Sequence, residues 1–302
     1  MVNVHTVLSV IVALLLSGNN LAVCVGPAVG SGVIKERDAI MLACVMFSVG
    51  LLLGGLKFRY YMTLNPLIPS IALCSALIVL MLGETLKIPM SLVYVTTTTT
   101  LTLAALTGSV TAVAHLVTCI AYWLAVVPLS IASSLLAALL FLRVLRRRPM
   151  TGYRLTRPLV ALLTFLLCLT FGENNLGFLW ALGGGLMSAL PLYLCSIVCG
   201  VLLLGRSTLR KMISIYALSP LSALTAITVA TLITSLATEL GIPVSFSVIT
   251  ICSLFGVSYA YRVRLINYRY ISHALLWTYV TIPLTALVTM ATYNVLKLLQ
   301  YV

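Results

Sequence analysis

Apolar runs of about 20 residues recur from one end of the chain to the other, with short polar or basic loops between them. As a helix, such a run crosses a bilayer core of roughly 30 Å. The apolar share of the sequence is 62% and the charged share 8%, whereas a soluble domain is about 25% charged. No water-soluble fold can cover that much apolar surface, so the solvent is lipid. The short alternating segments of a β-barrel are not seen. The chain therefore reads as an all-α polytopic protein, multi-pass in a cell membrane with the lipid bilayer as its partner.

The net charge of +13 has two readings: nucleic-acid binding, or basic loops that hold one face of the membrane. The basic residues fall in short loops, which favours the second and leaves no nucleic-acid partner. The first apolar run lacks a basic n-region and continues into a motif repeated later, so it reads as mature protein rather than a signal peptide. Cysteines 24, 44, 74, 119, 168, 195, 199 and 252 lie in or beside apolar runs without zinc-ligand spacing. Cys195 and Cys199 share a helical face, and buried packing is expected of them rather than a metal or disulfide; no cofactor is expected. His115 and His273 precede Trp123 and Trp277 at element starts, where interfacial placement explains them better than catalysis. With no Ser/His/Asp order either, the chain does not read as an enzyme.

One pattern is written twice. Asn19-Asn20 recurs at Asn174-Asn175, "KIPMS" around Pro89 recurs as "GIPVS" around Pro243, and Trp123 with Pro128-Leu129 recurs as Trp277 with Pro283-Leu284. The offsets are all 154 or 155 residues. Internal repeats of this kind build many membrane transporters. Residues 1–142 form the first repeat, 143–157 a basic cytoplasmic linker, and 158–302 the second repeat. Each half contains about five membrane elements: 5–34, 38–56, 66–86, 89–113 and 115–142, then 158–182, 185–204, 218–238, 243–260 and 270–296. With five crossings per half, 15 of the 18 basic residues fall on one side and 3 on the other. Four crossings per half give 12 against 6. The positive-inside rule thus favours ten crossings and inverted repeats with broken helices.

Polar groups at membrane depth are costly, so they are usually paired or functional. Gly18 before Asn19 and Gly172 before Asn174 mark places where a helix can break. Backbone amides freed there, with the helix dipole, would attract an anion. Interhelical hydrogen bonding is the plainer role for such asparagines; the symmetric pair of sites tips the balance towards binding. Pro89 and Pro243 suit the first turn of a short helix, with Ser91 or Ser245 beside its free amides. The run Thr96 to Thr100 is expected mostly to hydrogen-bond its own i−4 carbonyls. "GPAVGSGV" and Gly183 to Gly185 would allow close helix approach. Neither is followed by the lysine and hydroxyl of a nucleotide loop. Of the five acidic residues, Glu84 and Glu239 are expected at the interfaces. Glu173, inside "FGENNLG", is the candidate buried ionisable group for coupling.

These residues resemble the inorganic phosphate transporter (PiT) family, which carries a "GANDVAN" motif and a later "PVSTTH" motif in each inverted half. "SGNNLAV" and "GENNLGF" stand at the first motif, "PMSLVY" and "PVSFSV" at the second. The stretches Val29 to Gly55 and Leu203 to Leu224 are similar in pattern as well. The resemblance implies a secondary transporter with a midplane substrate site between the halves, lined by Asn19, Asn174, Ser91 and Ser245. Asn20 and Asn175 stand at the family's aspartate and Ser247 at its second threonine; they complete the expected substrate-binding set. Val23 and Phe178 replace the last asparagine, and the acidic residue of the next helix, expected near Phe47 and Ile197, is missing. A site without those carboxylates binds cations more weakly. The coupling ion, proton or sodium, stays open, and so does a homodimer. Inorganic phosphate is the expected substrate. Sulfate or another oxyanion, or a non-transporting membrane scaffold, remains the alternative.

Overall fold

The computed structural model describes residues 3–86, 91–147, 149–215, 218–261 and 268–298. Lys87, Pro89, Arg148, Arg262 and Arg264 lie outside the described residues, as do the side chains of Glu84 and His273. The chain is helical in the following order: α1 (Val4–Gly30), α2 (Glu36–Gly54), a tight turn Gly55–Phe58, α3 (Arg59–Met62), α4 (Leu67–Leu86), α5 (Leu92–Leu106) and α6 (Val110–Arg147). Then come α7 (Pro149–Phe171), a widened turn Gly172–Leu176, α8 (Gly177–Leu182), a tight turn Met187–Ala189, α9 (Leu190–Gly200) and a second widened turn Val201–Gly205. The last are α10 (Arg206–Ile215), α11 (Pro220–Glu239), α12 (Phe246–Tyr261) and α13 (Tyr268–Leu298).

Local chemistry explains the boundaries. Glu36 and Asp38 occupy the first turn of α2, where carboxylates complement the helix dipole. Ser219 caps α11 by accepting from the Ser222 amide at 3.1 Å, and Pro220 follows at the first helical position. Gly108, Gly184, Gly185 and Gly241 take positive φ where helices end. The basic stretch 143–157 is helical on both sides of Arg148, closing α6 and opening α7.

Seven helices among the described residues are long and apolar enough to cross a membrane. Three shorter apolar helices join them: Leu67–Val79, Leu92–Leu106 and Phe246–Tyr261. The last two, α5 and α12, are central. Every residue from Leu92 to Ala104 is buried, and α12 is buried along most of its length. A helix that is apolar all round belongs in the core of a bundle or in lipid. The outer helices instead leave leucines such as Leu124, Leu139, Leu203 and Leu287 exposed, as lipid-facing surfaces do.

The two halves are interlocked. α1 packs on α9, on the turn Val201–Gly205 and on α10, while α2 packs on α7 and the turn Gly172–Leu176. Glycine makes both crossings close. A methyl group on Gly50 would strike the Leu169 carbonyl and the Gly172–Glu173 backbone, and one on Gly54 would strike Glu173 itself. In the reciprocal crossing, Gly200 lies against the Leu14 carbonyl and the Ser17 hydroxyl, and Gly18 against Gly200 and Leu204. Small residues at the contact let backbones approach where lipid gives no hydrophobic drive between helices. Gly26 and Gly32 have no such neighbour, so the close approach expected of "GPAVGSGV" occurs elsewhere. Cys195 and Cys199 are also placed differently from expectation: both lie on the exposed face of α9. Residues four apart share a helix face, and here that face is turned outward.

Candidate functional site

The break expected at the asparagine doublets is not there. α1 runs unbroken through Asn19 and Asn20, and the second doublet sits in a widened but continuous helical turn. The interruptions lie one motif later, where α5 starts after Ser91 and α12 after Ser245. In the second half, Pro243 accounts for the shift. It cannot donate to a preceding carbonyl, so it breaks a helix more strongly than a Gly-Asn pair does. The extra residue of a widened turn lets Glu173, Asn174 and Asn175 be reoriented without ending the helix.

Asn174 is the structural centre of the second half. It is fully buried; its Nδ2 donates to the Ile242 carbonyl at 2.9 Å and to Thr238 Oγ1 at 3.1 Å, and its Oδ1 accepts from the Val244 amide at 3.0 Å. One amide thus satisfies the backbone on both sides of Pro243, in a turn with no helical ladder of its own. Pro243 is held from the first half as well. Its carbonyl accepts from Trp123 Nε1 at 2.8 Å. Trp123 stacks on Tyr94 at 4.2 Å between ring centroids, and its own carbonyl accepts from the Tyr279 hydroxyl at 2.6 Å.

Ser245, also buried, stands at the head of α12, where its carbonyl takes the Ile249 amide at 3.2 Å. The first-turn amides of α12 therefore have no intrahelical acceptor. Ser91 holds the corresponding place before α5: it is half-buried, its carbonyl takes the Val95 amide at 3.1 Å, and its hydroxyl makes no cap.

The first doublet is used differently. Asn20 is buried, donates to the Leu16 carbonyl at 3.1 Å, and accepts from the Ser247 hydroxyl at 3.3 Å. Two of the expected substrate-binding residues, one from each half, are thereby brought together. Asn19 is exposed. Consecutive residues of a continuous helix point about 100° apart, so Asn19 and Asn20 cannot both face the interior. Asn175 is buried, and its Oδ1 has no partner among the described residues.

Buried hydroxyls surround these groups. Thr96, Thr99 and Thr100 back-bond to the Leu92, Val95 and Thr96 carbonyls at 2.8, 2.9 and 2.7 Å, the local role expected of most of the run. Thr97, Thr98, Thr250 and Ser253 are buried hydroxyls without a partner among the described residues. Among the described residues no His, Cys, Asp and Glu cluster could hold a metal ion.

Glu173 is not an isolated carboxylate. It pairs with Lys57 at 3.2 Å, and Lys57 also reaches Glu239 at 2.6 Å. His115 stacks on Tyr60 at 4.5 Å, away from any catalytic partner among the described contacts. Sequence reading did not single out Thr238, Tyr94 or Lys57. Only Lys57 carried a signal, as one of three basic residues on the charge-poor face.

The phosphate transporter family model matches residues 178–289. In three dimensions the chain is similar to a solved structure described as "The sodium-dependent phosphate transporter", with a TM-score of 0.78, 14% identity and 98% of each chain covered. No curated protein sequence matches the chain. Both the matching family model and the similar solved structure are described as phosphate transporters. The doubled asparagine and proline-serine motifs thus stand within a fold similar to that of a solved phosphate transporter, and the phosphate transporter family model matches the second half of the chain.

Proposed function

We propose that the chain is a secondary transporter of inorganic phosphate that binds its substrate near the bilayer midplane, between two inverted halves. The observation that carries this reading is the convergence at Asn20 and Ser247. There, helix α1 of the first half meets the amide-rich head of α12 in the second. The lining would be Asn20, Asn175, Ser91, Ser245 and Ser247, with Asn174 holding the turn that presents Ser245. Asn19 joins it only if α1 rotates. Helix-head amides and serine hydroxyls replace water around the anion. The reciprocal crossings of α1 on α9 and of α7 on α2 support inverted repeats spanning 1–142 and 158–302.

Asn175 bears on the choice of anion. Its buried Oδ1 is an acceptor that lacks a donor among the described residues. Singly protonated phosphate carries a P–OH that can donate there; sulfate carries none at neutral pH. The amide also recognises the anion without the repulsion of a carboxylate. Ion coupling is part of the proposal. The similar solved protein is described as sodium-dependent, and Glu173 is this chain's own candidate for carrying a proton. Taking one up would require Glu173 to leave Lys57, which links coupling to movement.

Uptake of labelled phosphate and sulfate into proteoliposomes tests the reading. Phosphate uptake driven by a sodium or proton gradient, with weak competition by sulfate, is expected. Absence of uptake of either anion under every imposed gradient would overturn it, and preference for sulfate would transfer the site to that anion.

A further inference from the structure

Helix α2 bears a charge of opposite sign near each end, and each is matched by charges from the second half. At its start, Glu36 accepts from Arg206 Nε at 2.9 Å and from Arg210 Nε at 3.2 Å, both on α10. Just beyond its other end, Lys57 donates to Glu173 at 3.2 Å and to Glu239 at 2.6 Å. Glu173 lies in the widened turn before α8 and Glu239 closes α11. From residue 36 to residue 57 a helix rises roughly 30 Å, the thickness of the hydrocarbon core. The two ion clusters therefore sit at opposite faces of the membrane. Both are engaged in this structure.

The Lys57 cluster is linked to the site through the backbone. Glu173 adjoins Asn174, whose amide holds the backbone on both sides of Pro243. The Lys57 carbonyl lies against Gly241, 3.2 Å from where a methyl group on it would stand. One residue of the first half thus lies against the segments that precede both motifs of the second.

We propose that these clusters are two opposed clamps that open in alternation. Breaking the Lys57 clamp frees the site towards that face, and breaking the Glu36 clamp frees it towards the basic face. Both act between the halves, so rocking about the glycine crossings that stretches one relaxes the other. This rests on the transporter reading, but its test needs no substrate, so failure of the clamps and failure of the phosphate reading are distinguishable.

The experiment places a reporter at Ser245→Cys and labels it with a membrane-impermeant thiol reagent from each side, in vesicles of known orientation. The same protein without the added cysteine supplies the background from the native thiols. Lys57→Met should raise labelling from the Lys57 face and lower it from the Glu36 face; Glu36→Gln should do the reverse. A change of about two- to fivefold matches what weakly coupled, part-exposed ion pairs can shift. Lys57→Arg, which keeps a cation facing both Glu173 and Glu239, should retain the parent pattern. The proposal is overturned if labelling rises from both faces together, as general loosening would cause, or if neither substitution alters its sidedness.

Discussion

The Ser247 hydroxyl donates to Asn20 Oδ1 across 3.3 Å, joining the first asparagine doublet to the second proline-serine motif. These residues are 227 positions apart, so neither repeat can complete this part of the site alone. Asn20→Ala should therefore abolish phosphate binding while leaving the fold intact, because its other bond is only to the Leu16 carbonyl of its own helix. Ser247→Ala should weaken binding less, since Asn20 keeps its amide. Calorimetric or scintillation-proximity binding of phosphate to the purified variants checks the order; equal affinities in both variants and the parent would remove this pair from the site.

Asn174 is expected to behave as a structural residue first. Asn174→Ala strands the Ile242 carbonyl and the Val244 amide away from water, at a cost of about 1–3 kcal/mol for each buried group left unpaired. A lower thermal transition in detergent should accompany lost transport. Asn174→Asp keeps an acceptor for Val244 but sets a carboxylate against the Ile242 carbonyl, so it should be no better than alanine. A variant with parent stability would show that the turn around Pro243 is held by something else.

Trp123→Phe separates two roles of one side chain. The phenyl ring can still stack on Tyr94, but the buried Pro243 carbonyl loses its donor, at a cost of about 1–3 kcal/mol, and the smaller ring leaves space in the core. Stability should fall, and maximal uptake should fall more than apparent affinity because the turn that carries Ser245 is no longer tied to the first half. Initial-rate uptake across a range of phosphate concentrations reads both quantities.

Gly50→Ala tests the close crossing of α2 and α7. Its methyl group would meet the backbone of Leu169, Gly172 and Glu173, which cannot turn aside as a flexible side chain could. Overpacking of this kind costs about 1–3 kcal/mol or more. Gly26→Ala is the control, since that position has no neighbour within 4 Å. Fluorescence-detected size-exclusion after heating should separate the two; identical profiles would mean the helices can part without cost.

Most helices were legible because lipid enforces a simple code: long apolar runs with basic loops give away their positions without any knowledge of partners. The doubled motifs were legible for the same reason, as polar letters in an apolar text. Where the chain breaks was misread at Asn19 and Asn174, because a Gly-Asn pair permits a break without requiring one, and the proline one motif later, Pro243 in the second half, imposes it. The inward turn of Asn20 and the outward turn of Asn19 depend on helix phase, which a doublet alone does not reveal. Lys57 was hidden because its meaning comes from Glu173 and Glu239, far away in sequence. Only packing brings an ammonium at the end of α2 to two carboxylates of the other half.

Glu173→Gln addresses coupling. The amide keeps the size of the side chain and can still accept from Lys57, but it carries no exchangeable charge. If Glu173 takes up the coupling proton when its ion pair opens, uptake by this variant should no longer accelerate under an inward proton gradient, although phosphate binding persists. The parent supplies the reference in the same proteoliposomes, with sodium replaced by an inert organic cation to silence any sodium drive. Gradient-dependent uptake at the parent's level would dismiss Glu173 as the proton carrier and leave it as a clamp residue. In that case, uptake that survives only with sodium would assign coupling to the cation that the similar transporter uses. A variant that loses phosphate binding altogether would place Glu173 in the lining itself, where its position beside Asn174 makes such a role geometrically accessible.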